Sequence, residues 1–262
     1  MAEPVLFAQD GGTVILTLNR PEALNAFTPQ VLDLLDVHLT RIERDPSVRV
    51  VVLTGAGEKA FCVGADLKAR QQELTGADPS RDAFAERVQR VFGLLERLTQ
   101  PVIAAINGYA LGGGLELALT ADLRIAAEEA RFGFPEAKVG SMPGAGGTQR
   151  LPRLIGPSRA KELMFLADHI DAAEAYRIGL VNRVVPRADL MAKTLELART
   201  IATRGPLSLA AIKRAVNHAA IEDLERGLAV EAAEFAAVRT SEDRKEGIAA
   251  FLEKREPHFV GR

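Results

Sequence analysis

Hydrophobic residues recur along the first half of the chain in two alternating patterns. Short runs of apolar, mostly β-branched residues predict strands, because such side chains suit a pleated surface that is buried on both faces. Apolar residues spaced by three and four positions predict helices, and Thr28 is a suitable N-cap for the first of these. The predicted strands cover residues 14–18, 48–54, 102–106 and 123–127, and the predicted helices cover residues 28–42, 82–98 and 115–120. Their alternation predicts an α/β core, with a polar and mobile loop over residues 71–81.

The second half of the chain consists mainly of helix-forming residues. Four stretches carry apolar stripes at helical spacing: residues 188–203, 207–219, 223–238 and 242–254. We therefore divide the chain into a βα core, residues 1–195, and a helical C-terminal region, residues 196–262. The apolar stripes of the C-terminal region exceed what one core needs, and this excess predicts self-association.

The composition excludes several classes of protein. Among 262 residues, 33 Lys and Arg balance 35 Asp and Glu, and the net charge of −2 lacks the basic surplus of a nucleic-acid binding protein. The single Cys62 cannot form an intramolecular disulfide, and with four scattered histidines it gives no zinc-binding spacing. The apolar run over residues 101–119 is interrupted by Asn107, glycines and Glu116, which argues against a membrane span. The N-terminus has no signal or transit pattern, so we expect a cytoplasmic protein. Because no zinc-binding spacing is present, we also expect no structural metal.

Two glycine motifs resemble nucleotide-binding loops, and neither fits its context. Residues 55–60 have the pattern G-x-G-x-x-A after a strand, but the dinucleotide fingerprint requires a helix to open within the glycines. Here the chain continues into the β-like triplet Phe61-Cys62-Val63. Residues 143–148 resemble a phosphate loop, but the lysine that closes that motif is missing. Dinucleotide binding and nucleoside triphosphate hydrolysis are therefore not expected.

Two other glycine segments place free backbone amides at helix starts. In residues 64–68, Gly64-Ala65-Asp66 precedes a helical stretch, where an oxyanion can bind to unpaired N–H groups. Taken alone, this triplet is more often an ordinary helix entry. In residues 107–119, three glycines follow a buried strand, so a ligand can approach the backbone closely before the helix begins.

Two glutamates occur in apolar sequence contexts. Glu116 falls in the first helical turn between leucines, where a raised pKa would suit proton transfer, although a carboxylate there also complements the helix dipole. Glu136 follows Pro135 in a loop flanked by aromatic residues, and taken alone it is a typical solvated loop glutamate. In combination, two carboxylates could hold one water while two amides stabilise the enolate of a thioester.

These segments together resemble the crotonase, or enoyl-CoA hydratase/isomerase, superfamily. The similarity covers nearly the whole chain and starts at Asn19-Arg20-Pro21-Glu22-Ala23-Leu24-Asn25-Ala26. It continues through residues 61–68, 101–122 and 132–151, and ends with residues 243–247 and 251–255. Val63 is a mild departure, since a smaller residue is common at that position in the family.

The resemblance implies a fold and a set of site residues. The fold would be a spiral of ββα units with C-terminal helices that form trimers, usually paired into hexamers. The two glutamates of hydratase members correspond to Glu116 and Glu136, and the two oxyanion-hole amides correspond to Ala65 and Gly113. The contacts with substrate and CoA correspond to Ala23, Leu24, Ala65, Asp66, Leu67, Lys68 and Gly113, and the tail near Phe259 would approach the ligand of a neighbouring subunit.

The implied reaction is syn addition of water to a trans-2-enoyl-CoA, which gives a 3-hydroxyacyl-CoA. Glu116 would activate the water and Glu136 would supply the proton to Cα. No metal or redox cofactor is implied, because CoA arrives as part of the substrate, and the other expected partners are further copies of the chain. The alternatives are double-bond isomerisation, dehydration of a specialised 3-hydroxyacyl-CoA, and a non-catalytic acyl-CoA binder.

One helical stripe permits two interpretations. It consists of Phe84, Val88, Val91, Phe92 and Leu95. These side chains could line an acyl pocket, but a stripe at this spacing more often packs into the core.

Overall fold

Strands from the whole core region form one large sheet in the computed structural model, which describes residues 3–68 and 82–262. The strand order is β1 (Val5–Asp10), β2 (Thr13–Leu18), β3 (Val50–Gly55), β5 (Val102–Ile106), β7 (Leu123–Ala127) and β10 (Arg183–Val185). Strands β1 and β2 pair antiparallel, and all other neighbours in this sheet pair parallel. The four strands predicted from apolar runs are confirmed to within two residues at their ends, whereas the loop predicted over residues 71–81 lies outside the described residues.

A smaller sheet lies beside the large one and consists of three-residue strands. Its order is β4 (Ala60–Cys62), β6 (Tyr109–Leu111), β8 (Arg131–Gly133) and β9 (His169–Asp171). Strands β4, β6 and β8 each follow a strand of the large sheet in the sequence, so the chain adds one strand to each sheet in turn. The sequence indicated extended backbone only for Phe61-Cys62-Val63, which overlaps β4, and did not predict the other three strands, because three residues are too short for a period to be recognised.

Helices complete the repeating units and cover the sheets. Helices α1 (Pro29–Arg44) and α2 (Ala83–Arg97) begin after side-chain N-caps, in which Thr28 and Asp82 accept hydrogen bonds from the amides three residues ahead. The apolar stripe of α2 is fully or almost fully buried, with Phe92 edge-on to Phe27 at 5.8 Å between ring centres. The stripe therefore packs into the core of the molecule.

The large sheet is buried on both faces, as the unbroken apolar runs predicted. On β3, Val51 and Leu53 belong to the main core, whereas Val50 and Val52 pack on the other face with Leu190. Leu190 is the first residue of helix α7 (Leu190–Ala202). This helix covers the second face and buries Leu190 and Ala198 against it.

Four further helices were not predicted as they occur. They are α3 (Gly113–Ala118), α4 (Gly147–Ile155), α5 (Pro157–Leu166) and α6 (Ala172–Arg177). Helix α3 had been expected over residues 115–120, but it starts two residues earlier because Gly112 acts as its N-cap. The other three have six to ten residues and are bounded by Gly, Pro or Asp, so they offer too few apolar repeats to stand out from the loops around them.

The C-terminal region is helical, as predicted. Helix α7 is followed by α8 (Pro206–Ala219), α9 (Leu224–Arg239) and α10 (Glu242–Glu253). The proposed division of the chain at residue 195 falls within α7, and it stays a prediction. The tail folds back onto α10, where the Asp243 carboxylate accepts hydrogen bonds from the amides of Val260 and Gly261. Within residues 3–68 and 82–262, no helix has the length and apolar character needed to cross a bilayer.

Candidate active site

Glu116 lies in the first turn of α3, where a neighbouring loop binds its carboxylate. The side chain is buried, and the residue is 2% exposed. Glu116 Oε1 accepts hydrogen bonds from the backbone amides of Ala145 at 2.7 Å and of Gly147 at 2.8 Å. Gly147 is the first residue of α4, so the positive end of that helix dipole also faces the carboxylate. The loop thus holds one oxygen of Glu116 in a defined position.

Burial and hydrogen bonding act in opposite directions on the pKa of Glu116. Removal from water has the largest effect and raises the pKa of this carboxyl above its usual value. The amides of Gly147 and Ala145 lower the pKa, as does the positive charge of Arg150. The result is a bound carboxylate that is more basic than a glutamate in water, which suits removal of a proton from a water molecule.

Glu136 lies in the 3₁₀ turn Pro135–Val139 that follows β8. Its Oε2 is buried and has no hydrogen-bond partner in the described part of the chain. Burial raises the pKa of Glu136 to about 7; its own backbone amide lowers it and the charge of Glu116 raises it. The raised pKa therefore keeps part of the Glu136 population protonated near neutral pH. A neutral acid with an unpartnered oxygen can donate a proton to a ligand placed beside it.

Gly112 allows Glu136 to approach the start of α3. A Cβ on Gly112 would lie 2.8 Å from Glu136 Oε1, which is closer than such atoms can pack. Gly112 also has a φ of 51°, a conformation that glycine adopts without strain. The carboxyl of Glu136 therefore lies against the backbone that leads into Gly113 and Glu116, and the two glutamates share one region of the molecule.

The amides of Ala65 and Gly113 lie side by side in the same region. A Cβ on Gly64 would lie 2.9 Å from Gly113 N, and a Cβ on Gly113 would lie 3.8 Å from Ala65 N. Phe27 forms a parallel β-bridge with Ala65: its amide donates to the carbonyl of Gly64, and its carbonyl accepts from the amide of Asp66. In such a bridge the amide of Ala65 itself points away from Phe27. Neither amide donates a hydrogen bond to any of residues 3–68 or 82–262. Two adjacent free donors can bind one carbonyl oxygen.

The residues expected to contact CoA lie in two segments that an ion pair joins. Arg20 binds Asp66 at 3.1 Å and so connects residues 20–27 to the segment of the Ala65 amide. Leu24 has a left-handed φ of 52°, and Leu67 is 69% exposed. The full expected set, Ala23, Leu24, Ala65, Asp66, Leu67, Lys68 and Gly113, is thus distributed over these two segments and the start of α3.

Other features of the molecule do not coincide with this site. A cavity of about 740 Å³ lies on the face of the large sheet that α7 covers, and its lining includes Thr54 and Arg187. None of the two glutamates and two free amides described above lines this cavity. Among the described residues, no three His, Cys, Asp or Glu side chains are grouped as metal ligands.

The sequence did not identify the groups that hold Glu116. These are the amides of Ala145 and Gly147 and the guanidinium of Arg150, which lie 29 to 34 positions away in the chain. The only signal was the glycine-rich character of residues 143–148, which indicates close approach of backbone to another group. No pattern in the sequence says which group approaches.

Comparison with known proteins places the chain in a family. It matches the enoyl-CoA hydratase/isomerase family over residues 9–262. It is 42% identical to the crotonyl-CoA hydratase of Syntrophomonas wolfei over 99% of each chain, and 44% identical to the short-chain-enoyl-CoA hydratase of Clostridium acetobutylicum over 96% of this chain and 95% of that one. A crystal structure of an enoyl-CoA hydratase from Bacillus anthracis superposes with a TM-score of 0.94 at 44% identity, covering 99% of this chain and 100% of that chain. The predicted α/β fold is confirmed, and the chain belongs to the enoyl-CoA hydratase/isomerase (crotonase) family.

Proposed function

We propose that this chain adds water to trans-2-enoyl-CoA thioesters and so forms 3-hydroxyacyl-CoA. The observation that carries this proposal is the arrangement of a buried glutamate, Glu116, and a half-buried one, Glu136, beside two free backbone amides. One glutamate is bound by two amides, and the other has an unpartnered oxygen. Membership of the enoyl-CoA hydratase/isomerase family supports the same reaction and the acyl-CoA substrate.

The amides of Ala65 and Gly113 bind the thioester oxygen. As water adds to Cβ, negative charge develops on this oxygen and forms an enolate, so the hydrogen bonds strengthen in the transition state. By analogy with other oxyanion holes, each donor contributes about 2.7–4 kcal/mol to transition-state stabilisation. The donors need no rearrangement, because both amides already lack a partner within the described residues.

The surroundings of the two glutamates assign their roles. Glu116 takes a proton from water, since its hydrogen bonds and Arg150 favour the carboxylate. The resulting hydroxide equivalent forms the C–O bond at Cβ, and Glu136 gives its proton to Cα on the same face. Glu136 suits this step because burial raises its pKa to about 7, so the acid form is present at neutral pH. Proton exchange with water and between the two carboxyls restores the starting state.

CoA binds along the two segments joined by the ion pair of Arg20 and Asp66. Leu67 and Lys68 are exposed there, and the backbone of Ala65 continues into them. CoA enters as part of the substrate, so the reaction as proposed needs neither a metal nor a redox cofactor. Cys62 is buried as a free thiol, which suits the reducing conditions of a cytoplasmic location.

The chain assembles into a homotrimer or a dimer of trimers. This part of the proposal is supported by apolar side chains that the C-terminal helices leave exposed in the single chain. On α8, α9 and α10 these are Ile212, Val216, Leu224, Leu228, Phe235, Ile248, Phe251 and Leu252, each more than 50% exposed. A symmetric oligomer would remove such a surface from water.

The substitution Glu136→Gln tests the reaction. It keeps the size of the side chain but removes the transferable proton, so kcat for hydration of crotonyl-CoA should fall by about 10²–10⁴-fold. Binding of the unreactive butyryl-CoA, measured by calorimetry, should stay unchanged. Full turnover by the variant would remove Glu136 from the mechanism.

A parallel incubation separates hydration from isomerisation. Crotonyl-CoA and a 3-enoyl-CoA are incubated separately with the protein. Hydration of crotonyl-CoA removes the absorbance of the conjugated enoyl thioester, whereas isomerisation of the 3-enoyl-CoA creates it, and the two rates are compared. We expect rapid consumption of crotonyl-CoA. Rapid conversion of the 3-enoyl-CoA alone would favour an isomerase, and binding of both without reaction would favour a non-catalytic acyl-CoA binder.

A further inference from the structure

Arg150 connects three elements behind Glu116. It lies on α4, and its guanidinium forms two hydrogen bonds to the carboxylate of Glu96 on α2, at 2.9 and 2.7 Å. A third hydrogen bond runs from Arg150 Nη1 to the carbonyl oxygen of Ala145 at 2.9 Å. The planar guanidinium thus has a fixed orientation, since a two-point pair with a carboxylate restricts both groups.

The third hydrogen bond reaches the residue that binds Glu116. Ala145 donates its N–H to Glu116 Oε1 and accepts from Arg150 with its carbonyl oxygen. Arg150 therefore holds one side of Ala145, and Glu116 is bound to the other. The next contact of the loop, the amide of Gly147, is bonded to the same oxygen of Glu116.

The charge of Arg150 also acts on Glu116. Its positive charge lowers the pKa of Glu116, against the larger rise that burial causes. The ionisable groups that face Glu116 are Arg150 from α4 and Glu136 from the 3₁₀ turn, and Glu96 lies behind Arg150. Cys62 on β4 is buried, and burial raises the pKa of its thiol to about 12, so it adds no charge near neutrality.

We propose that Arg150 is a positioning residue for hydration, which acts through the carbonyl of Ala145 and through its charge to hold Glu116 as an oriented carboxylate. The inference rests on the base role proposed above for Glu116. Glu96 has a supporting role, because it fixes the fork of Arg150. Arg150 itself touches neither the amides of the oxyanion hole nor the expected CoA segments.

The substitution Arg150→Gln tests this role, with Arg153→Gln as the matched control. Arg153 lies one turn further along α4 and bonds to the carbonyls of Ala220 and Gln149, away from the Ala145 loop. For Arg150→Gln we expect kcat for crotonyl-CoA to fall by about a hundredfold, the size seen when a catalytic group is misplaced by about 1 Å. The KM and the Kd of butyryl-CoA should stay near the values of the unmodified protein, as they should for Arg153→Gln.

The pH profile separates positioning from a general loss of structure. Without Arg150 the pKa of Glu116 rises, so the acidic limb of the kcat profile should move to higher pH, and part of the activity should return in more alkaline buffer. Arg153→Gln should leave this limb in place. An unmoved limb in Arg150→Gln, or a loss of kcat matched by the control, would overturn the proposal.

A conservative variant and a double variant complete the test. Arg150→Lys keeps the charge but cannot form the fork, so its acidic limb should stay in place while kcat falls less than in Arg150→Gln. This variant also decides the matter should Arg150→Gln fail to fold, since unchanged kcat in Arg150→Lys would contradict the role of the fork. In a Glu116→Gln background, Arg150→Gln should cause no further loss, because both changes remove the same function. A full further loss there would refute action through Glu116, whereas full turnover by Glu116→Gln alone would instead refute the base role itself.

Discussion

The surroundings of Glu136 favour its protonated form, which suits proton transfer. They disfavour the charged carboxylate, which lowers the stability of the folded protein at high pH. In a chain exposed to water its pKa is near 4.5, whereas burial in the folded protein raises it to about 7. A folded-state pKa above the unfolded one means that the folded state binds the proton more tightly. The stability linked to this group is therefore present below about pH 4.5 and is lost as the pH rises through about 7. Functional sites commonly keep such unfavourable groups.

The substitution Glu136→Gln should therefore stabilise the protein at alkaline pH while it lowers turnover. We expect a gain of about 1–2 kcal/mol at pH 8, less than the full change in pKa would give because solvent reaches part of the carboxyl. At pH 4.5 the gain should be close to zero. Thermal unfolding of both proteins at the two pH values measures it, and an equal difference at both would contradict the raised pKa.

Gly112 provides a second test at the level of single residues. In Gly112→Ala the new Cβ would meet Glu136 Oε1 at 2.8 Å, so the carboxyl must move and kcat should fall by about a hundredfold. Gly11→Ala is the matched control, because Gly11 has a φ of 56° but no atom within 4 Å of its Cβ position. Both variants should lose about 1 kcal/mol of stability from backbone strain. Only Gly112→Ala should lose activity, and wild-type kcat in that variant would mean that Glu136 need not lie against Gly112.

The elements that carry the site depend on one another for their positions. Helix α3 has only six residues, too few to be stable alone. The buried side chain of Arg124 donates to the carbonyl of its last residue, Ala118, and to that of Ala121 in the turn that follows. The C-terminal region is attached to the large sheet in a similar way. Lys213 on α8 binds Asp122 at 2.8 Å, and Asp122 in turn accepts the amide of Val102 at the start of β5.

Removal of this attachment should destabilise the protein. Lys213→Met removes the ion-pair partner of the partly buried Asp122, and we expect a loss of about 2–3 kcal/mol, below the range for completely buried pairs because Asp122 is partly exposed and also interacts with Arg124. Lys193→Met, which breaks an exposed pair with Glu196 on α7, serves as control and should leave the urea midpoint unchanged. Equal midpoints for the two variants would show that the Lys213 pair contributes little.

At the scale of the whole molecule, the C-terminal helices carry an exposed apolar surface. The exposed apolar residues of α8, α9 and α10 occupy the C-terminal region, whereas the tail of that region is tied to its own α10 through Asp243. Phe259 of the tail lies close to Gly205 and Gly247 of the same chain. Its expected approach to a neighbour's ligand stays a prediction.

The mass in solution tests the assembly. Light scattering should give about 85 kDa for a trimer, or about twice that for a dimer of trimers, from chains of 28.2 kDa. The double substitution Leu224→Glu and Phe251→Glu should lower this mass, because charge then opposes burial of the apolar surface. Val37→Glu changes an exposed apolar residue on α1, 62% exposed, and should leave the mass as it was. A mass of one chain for the unmodified protein would contradict the assembly.

Local features of the sequence were sufficient for the longer elements. The four apolar runs became strands of the large sheet, and Thr28 and Asp82 cap the helices that were predicted to start there. Patterns of this kind indicated β4 only as a β-like triplet and could not reveal β6 and β8, because three residues carry no recognisable period and are held extended by pairing with neighbouring strands. The resemblance to a known family named Glu116 and Glu136, whereas their local context left both open to ordinary roles.

The sequence by itself determined the α/β core, the helical C-terminal region and the family, because periodicity, caps and ordered motifs are properties of neighbouring residues. Only the tertiary structure decided what surrounds each glutamate. The amides of Ala145 and Gly147 and the side chain of Arg150 approach Glu116 from α4 and the loop before it, and Gly112 allows Glu136 to lie against the start of α3. Burial and charge depend on distance in space, and so the raised pKa of Glu136 and the bound state of Glu116 arise only once the ββα units are packed together.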